Sequence, residues 1–211
     1  MRRLAYVPIT HTLPEIYQPF APPDIRRIAT RLYHSLVPKY AAVLSELRKF
    51  AGKGQIHKVY LDGLYAPLDF NPKLITIDPI YLILLGLVNS GAQVMPTEHP
   101  ALIAVKHMLD IHAMQYGREI RYKSPGDFLK SDIGLAIKVL RPDFYYALER
   151  ACDGEKNFNI NRLRDRHVAR NIEDTLLDRE TGALLIGGRH EVDKRLKDLG
   201  SDIQVEIVNV F

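Results

Sequence analysis

The sequence predicts an α/β fold: a mixed, largely parallel central sheet of about five strands flanked by helices, as a single domain over 1–211. Three observations predict it. Short apolar runs bounded by turn residues recur along the chain, as buried strands do. Stretches of helical periodicity separate them, and these are long enough to cross over a sheet and keep successive strands parallel. The last run, Ile203-Gln204-Val205-Glu206-Ile207, alternates apolar and polar residues, the pattern of a half-exposed edge strand.

The first strand is Leu4 to Thr10, closed by His11. A connector rich in proline (Pro14, Pro19, Pro22, Pro23) leads to Asp24, which reads as a helix N-cap. Beyond it Ile25, Ile28, Leu32 and Leu36 recur at helical spacing and continue through Ala41, Leu44 and Leu47. Pro38 should kink or split that helix. The second strand lies within His57 to Gly63 and ends at Asp62. An apolar helix follows from Pro79 to Val88. Gly91 then opens a strand, Ala92 to Met95, that runs into Pro96-Thr97-Glu98-His99. Helices are expected over Ala101 to Gln115, Pro125 to Leu140, Pro142 to Cys152 and Asn159 to Arg179. Gly117 to Lys123 fits either a short strand or a loop. The fourth strand is Ala183 to Ile186, with a short helix after His190.

Composition narrows the function classes. Hydrophobic residues make up 46% and charged residues 26%, which suits an ordinary globular core. No segment approaches the roughly 18 consecutive apolar residues of a membrane span. The Met1-Arg2-Arg3 start lacks the long apolar stretch of a secretory signal. A single cysteine, Cys152, cannot form an internal disulfide and fits a reducing cytoplasm. The net charge of +4 comes from scattered basic pairs, so no nucleic-acid partner is expected. Homo-oligomerisation is left open.

Open α/β sheets place their chemistry just past the carboxyl ends of strands. Four polar residues occupy such positions: His11, Asp62, Glu98 and His190. Two histidines with carboxylates suit either general acid/base chemistry or a divalent metal, with His11, His190 and Glu98 as the metal candidates. On the helix before the fourth strand, Arg164 and Asn171 fall inside the apolar stripe, about 20° apart. A buried arginine needs an acidic partner. It either ties helix to sheet or faces a substrate anion. Gly187-Gly188 before His190 could expose backbone N–H groups to an anion or cofactor. Neither a Walker phosphate loop nor G-x-S-x-G is present, which lowers the odds of a P-loop enzyme or an ordinary serine hydrolase.

The run from Arg164 through Ile172, then Thr175-Leu176, then Glu180 to His190 with its G-x-x-H from Gly187, resembles the TraB/Tiki-like group of the erythromycin-esterase/ChaN-like superfamily. Val7-Pro8-Ile9-Thr10-His11-Thr12, Tyr60-Leu61-Asp62-Gly63-Leu64 and Gly91 to Glu98 resemble a prokaryotic family carrying I-P-x-x-H-T, Y-x-D-G-L and G-x-x-x-x-x-T-E. Pro8 stands where the wider group has the first glycine of an N-terminal G-x-x-H, and Asp62 where it tends to have glutamate. The resemblance implies an α/β domain with a polar site from His11, Asp62, Glu98, Arg164, Asn171 and His190. Within the group metal-dependent proteolysis, ester hydrolysis and haem binding all occur, and the resemblance does not choose among them. The first reading is a hydrolase acting on a small-molecule or peptide substrate, with a divalent metal as candidate cofactor. The alternatives are a non-catalytic protein that binds an anion in the same crevice, and an assembly protein whose crevice is structural.

Overall fold

The computed structural model describes residues 1–9, 23–52, 54–64, 80–117 and 120–209. His11 and the Pro14–Pro22 connector lie outside them, as does most of the loop before residue 80.

The strands are β1 (Arg3–Ile9), β2 (Lys58–Leu61), β3 (Gln93–Met95), β4 (Thr181–Gly187) and β5 (Gln204–Ile207). They form one sheet in the order β3-β2-β4-β1-β5, and every pairing is parallel. The helices are α1 (Pro23–Ala51), α2 (Ile80–Val88), α3 (Pro100–Tyr116), α4 (Pro125–Leu129), α5 (Asp132–Leu140), α6 (Pro142–Cys152), α7 (Ile160–Thr175) and α8 (Val192–Asp198). The expected α/β architecture is present, with β5 at an edge. No helix among the described residues is long and apolar enough to cross a membrane.

The strand sequences explain the layering. A parallel strand covered on both faces needs apolar residues at every position, and Ala183-Leu184-Leu185-Ile186 are all buried. Successive side chains point to opposite faces. Ala5, Val7, Val59, Ala183 and Leu185 therefore pack against Leu36, Tyr40, Val43 and Leu47 of α1 and Ile83 and Leu87 of α2. Leu4, Tyr6, Tyr60, Leu184 and Ile186 pack on the other face against Val168, Ala169, Ile172 and Leu176 of α7 and Val192 and Leu196 of α8. A third cluster joins α3 to α6 with Ile160 and Leu163 at the start of α7.

Several elements differ from expectation. Pro38 does not split α1, which runs 29 residues without a break; its buried face continues across the proline through Leu36 and Tyr40. Asp24 lies in the first turn of α1 rather than capping it. The helix expected over Pro125 to Leu140 is two helices, because Ser131 caps a new one by accepting the Gly134 N–H at 3.2 Å. Glycine is required there: a Cβ on Gly134 would stand 2.4 Å from the Phe128 carbonyl oxygen. Helix α7 stops at Thr175, where Leu176 caps it in an extended conformation. Ala169, on the solvent side by helical periodicity, is fully buried. Neighbouring helices on both flanks of α7 widen its buried arc.

Candidate functional site

Strand β4 enters between β2 and β1. The strands on either side of it are followed by α1 and α2 on one face, whereas β4 is followed by α8 on the other. This reversal marks the switch point at the carboxyl edge, the place where open α/β sheets hold ligands. The residues after β2, β3 and β4 all reach it.

Asp62 follows β2. Its backbone N–H continues the ladder to the Leu185 carbonyl at 2.8 Å. Gly63 then turns the chain at φ +77°, a conformation that a side chain would strain. The turn leaves the Leu64 carbonyl to accept the N–H groups of Thr97 and Glu98 at 2.7 and 2.9 Å. The buried Thr97 hydroxyl donates to the Leu61 carbonyl. Through these bonds the exit of β2 fixes the exit of β3, and Glu98 is directed inward with a side chain that is 0% exposed.

Helix α7 runs against the strands, so its first turns lie over the crevice. Arg164 donates through Nε to both Glu98 oxygens at 3.1 Å and through Nη2 to Glu98 Oε1 at 2.5 Å. The same Nη2 reaches Asp62 Oδ1 at 3.1 Å. Asp62 Oδ2 accepts the Gly187 N–H at 3.0 Å and stands 3.7 Å from His190 Nε2. On the far side of the ring, His190 Nδ1 bonds Asp165 Oδ1. Asp165 Oδ2 accepts the Glu191 N–H at 2.9 Å. The Tyr6 hydroxyl donates to the His190 carbonyl at 2.8 Å, closing the shell from below.

The electrostatics follow from burial in a cluster of three carboxylates and two cationic groups. Burial raises the Glu98 carboxyl above its ordinary range, against the pull of Arg164. Burial opposes the charge on Arg164, but Glu98 and Asp62 outweigh it and hold the guanidinium protonated. For His190, burial disfavours the imidazolium, while the Asp165 bond and the Asp62 charge overcome it and raise the pKa.

The fold thus brings Asp62, Glu98, Arg164 and His190 together. Asn171 stands seven residues, about two turns, along the helix from Arg164. Its amide donates to the Pro96 carbonyl at 2.5 Å, so it fixes the segment that carries Glu98. The Gly187 N–H is taken by Asp62, an internal carboxylate. His11 lies outside the described residues. Among the described residues no group of three His, Cys, Asp or Glu side chains stands ready to hold a metal ion. Glu98 in particular has both oxygens on Arg164.

Asp165 escaped the sequence reading. Adjacent to Arg164, it lies a full 100° round the helix by periodicity, yet it is 4% exposed. The readable signal was a second charge beside a buried arginine. His99 also has an unforeseen role: its Nδ1 accepts the Ala101 N–H at 3.1 Å and caps α3. Its ring meets His167 edge-on at 5.6 Å, and burial lowers both pKa values. Buried Cys152 has its thiol pushed up to about 11 by burial, which leaves little thiolate for chemistry. At the opposite edge of the sheet, buried Lys58 meets Glu180 at 2.8 Å and the Thr175 carbonyl, clamping the far end of α7.

No protein-family model, curated protein or solved structure matches this chain.

Proposed function

We propose that the chain is a hydrolase, related to the TraB/Tiki-like group, in which His190 is the general acid/base. One observation carries this reading: the His190 ring is held at Nδ1 by a buried carboxylate, while Nε2 is turned toward Asp62, 3.7 Å away. A carboxylate on one ring nitrogen orients the other for proton transfer, the task that histidine most often performs as a general acid/base. Asp62 stands where it can hold a water molecule or the substrate's proton-bearing group beside Nε2. Arg164 holds Asp62 and Glu98 in place through its hydrogen bonds, which makes it a positioning residue, as Asp165 and Asn171 are. The substrate is a small molecule or peptide with an ester or amide bond, in the cytoplasm, with neither nucleic acid nor membrane as partner.

Metal binding by His11, His190 and Glu98 is the second reading. His190 Nε2 is the ring nitrogen not bonded to Asp165, so it is available as a donor. Glu98 would have to leave Arg164 first.

The test is a panel of ester, amide and phosphoester substrates against the full chain, His190→Gln and Asp165→Asn. General acid/base catalysis contributes about 10²–10⁴-fold, and His190→Gln should lose that much while folding normally. Absence of turnover with every class, or full activity in His190→Gln, would refute the proposal.

A further inference from the structure

The side of α7 turned away from the crevice carries a second cluster. At about 100° per residue, Arg162 and Arg166 are about 40° apart and each about 160° from Arg164. With Arg195 of α8 they line a cavity of about 200 Å³, closed by Glu155, Asp198 and Leu199. Glu155, whose side chain is 8% exposed, pairs with Arg162 at 3.2 Å and Arg166 at 3.1 Å. Arg166 Nη1 also donates to the Asp153 carbonyl at 3.0 Å.

Arg195 is held at both ends of its fork. Its Nη1 donates to Asp198 at 2.6 Å, and Nη2 lies 3.5 Å from Glu191, which is itself held by Lys194 at 2.6 Å. Its Nε, however, is buried and has no acceptor among the described residues. Native proteins rarely leave a buried donor unmatched, because the lost solvation is not recovered. Three guanidiniums and two carboxylates line the cavity, and Glu191 beyond it is shared between Arg195 and Lys194, so the cluster keeps an excess of positive charge.

We infer that this pocket binds a phosphate group, either as inorganic phosphate or as the end of a small phosphorylated ligand. Guanidinium forks match oxyanions in geometry as well as charge. One fork satisfies a planar carboxylate, whereas three that converge from two helices suit a tetrahedral anion with oxygens in several directions. The site stands on the opposite face of α7 from His190 and is independent of the catalytic proposal.

Calorimetric titration of the full chain with inorganic phosphate at low ionic strength tests it. The expected result is one site per chain, weakened about tenfold or more by Arg195→Met and by Arg162→Met. The side chain of Arg162 is 50% exposed, so its replacement leaves the fold intact and decides the matter if Arg195→Met unfolds. His190→Gln should bind phosphate as the native chain does. The inference fails if the native chain shows no binding up to about 10 mM phosphate, or if Arg162→Met binds unchanged. It fails equally if His190→Gln abolishes binding, which places the anion in the crevice, or if acetate binds as tightly as phosphate.

Discussion

Asp165 holds His190 twice over: one oxygen bonds the ring at Nδ1 and the other takes the N–H of the next residue, Glu191. A helix side chain thereby fixes both the imidazole and the backbone entering α8. The orientation of the ring is thus tied to α7 packing rather than to the β4 turn alone.

The first prediction concerns pH. His190 titrates above the ordinary histidine value when folded. Such a group contributes stability that is fully present below the unfolded pKa of about 6.5 and is lost as pH rises through the folded value. The melting temperature of the native chain should therefore contain a component that declines across that window. Asp165→Asn should lack the component and lower the histidine's pKa. NMR titration of His190 checks this, and a native pKa at or below the ordinary value defeats it.

Arg164 should prove harder to lose than Glu98 and Arg164 together. Removing one partner of a buried pair leaves an uncompensated charge and costs about 3–5 kcal/mol. Arg164→Met should retain more stability than Arg164→Ala, because methionine keeps an apolar stem where alanine leaves a void. The double variant Arg164→Met/Glu98→Gln should be more stable than the two single losses summed. Denaturant unfolding measures all four, and strict additivity would show that the pair is not coupled.

Without Arg164, the buried Glu98 carboxyl would rise further above its ordinary value. A raised acid favours the folded state while protonated, so that variant should lose stability as pH rises from acid toward neutral. The native chain, whose Glu98 keeps its partner, should lose less over the same range in parallel melts.

The break between α4 and α5 rests on Ser131 and Gly134. Ser131→Ala should cost about 1 kcal/mol through loss of the cap. Gly134→Ala should cost about 1–3 kcal/mol, since its Cβ would meet backbone oxygen that cannot move aside freely. Thermal unfolding of the two variants tests the order of these costs.

Elemental analysis of the purified chain beside a His11→Ala/His190→Ala variant separates the metal reading from the acid/base one. Stoichiometric divalent metal in the native chain, lost in the variant, would support the metal reading. No metal after incubation with excess divalent ion would rule it out and leave the proton-transfer reading.

Much of this was legible in the sequence. The apolar run Ala183 to Ile186 could be buried on both faces only in a covered parallel sheet, and the alternation at Ile203 to Ile207 marked an edge. Asp62, Glu98 and His190 were readable as strand-end residues, and Arg164 as a charge needing a partner. Asp165, the His99 cap and the Ser131 break were not. Each depends on a neighbour far away or on local hydrogen bonding that competes with the hydrophobic period.

Local pattern alone placed the strands and most of the helices, the apolar faces they bury, and the polar side chains at strand ends. Periodicity encodes the faces that carry apolar residues, whereas Ala169 and Asp165 are buried by packing from more than one side. Only the tertiary structure decided that β4 inserts between β1 and β2. That insertion sets Gly187 against Asp62, 125 residues apart, and brings His190 to the same carboxylate. Strand order depends on how two helical layers cover the sheet with right-handed crossovers. That choice is made by packing between distant segments, which no local pattern records.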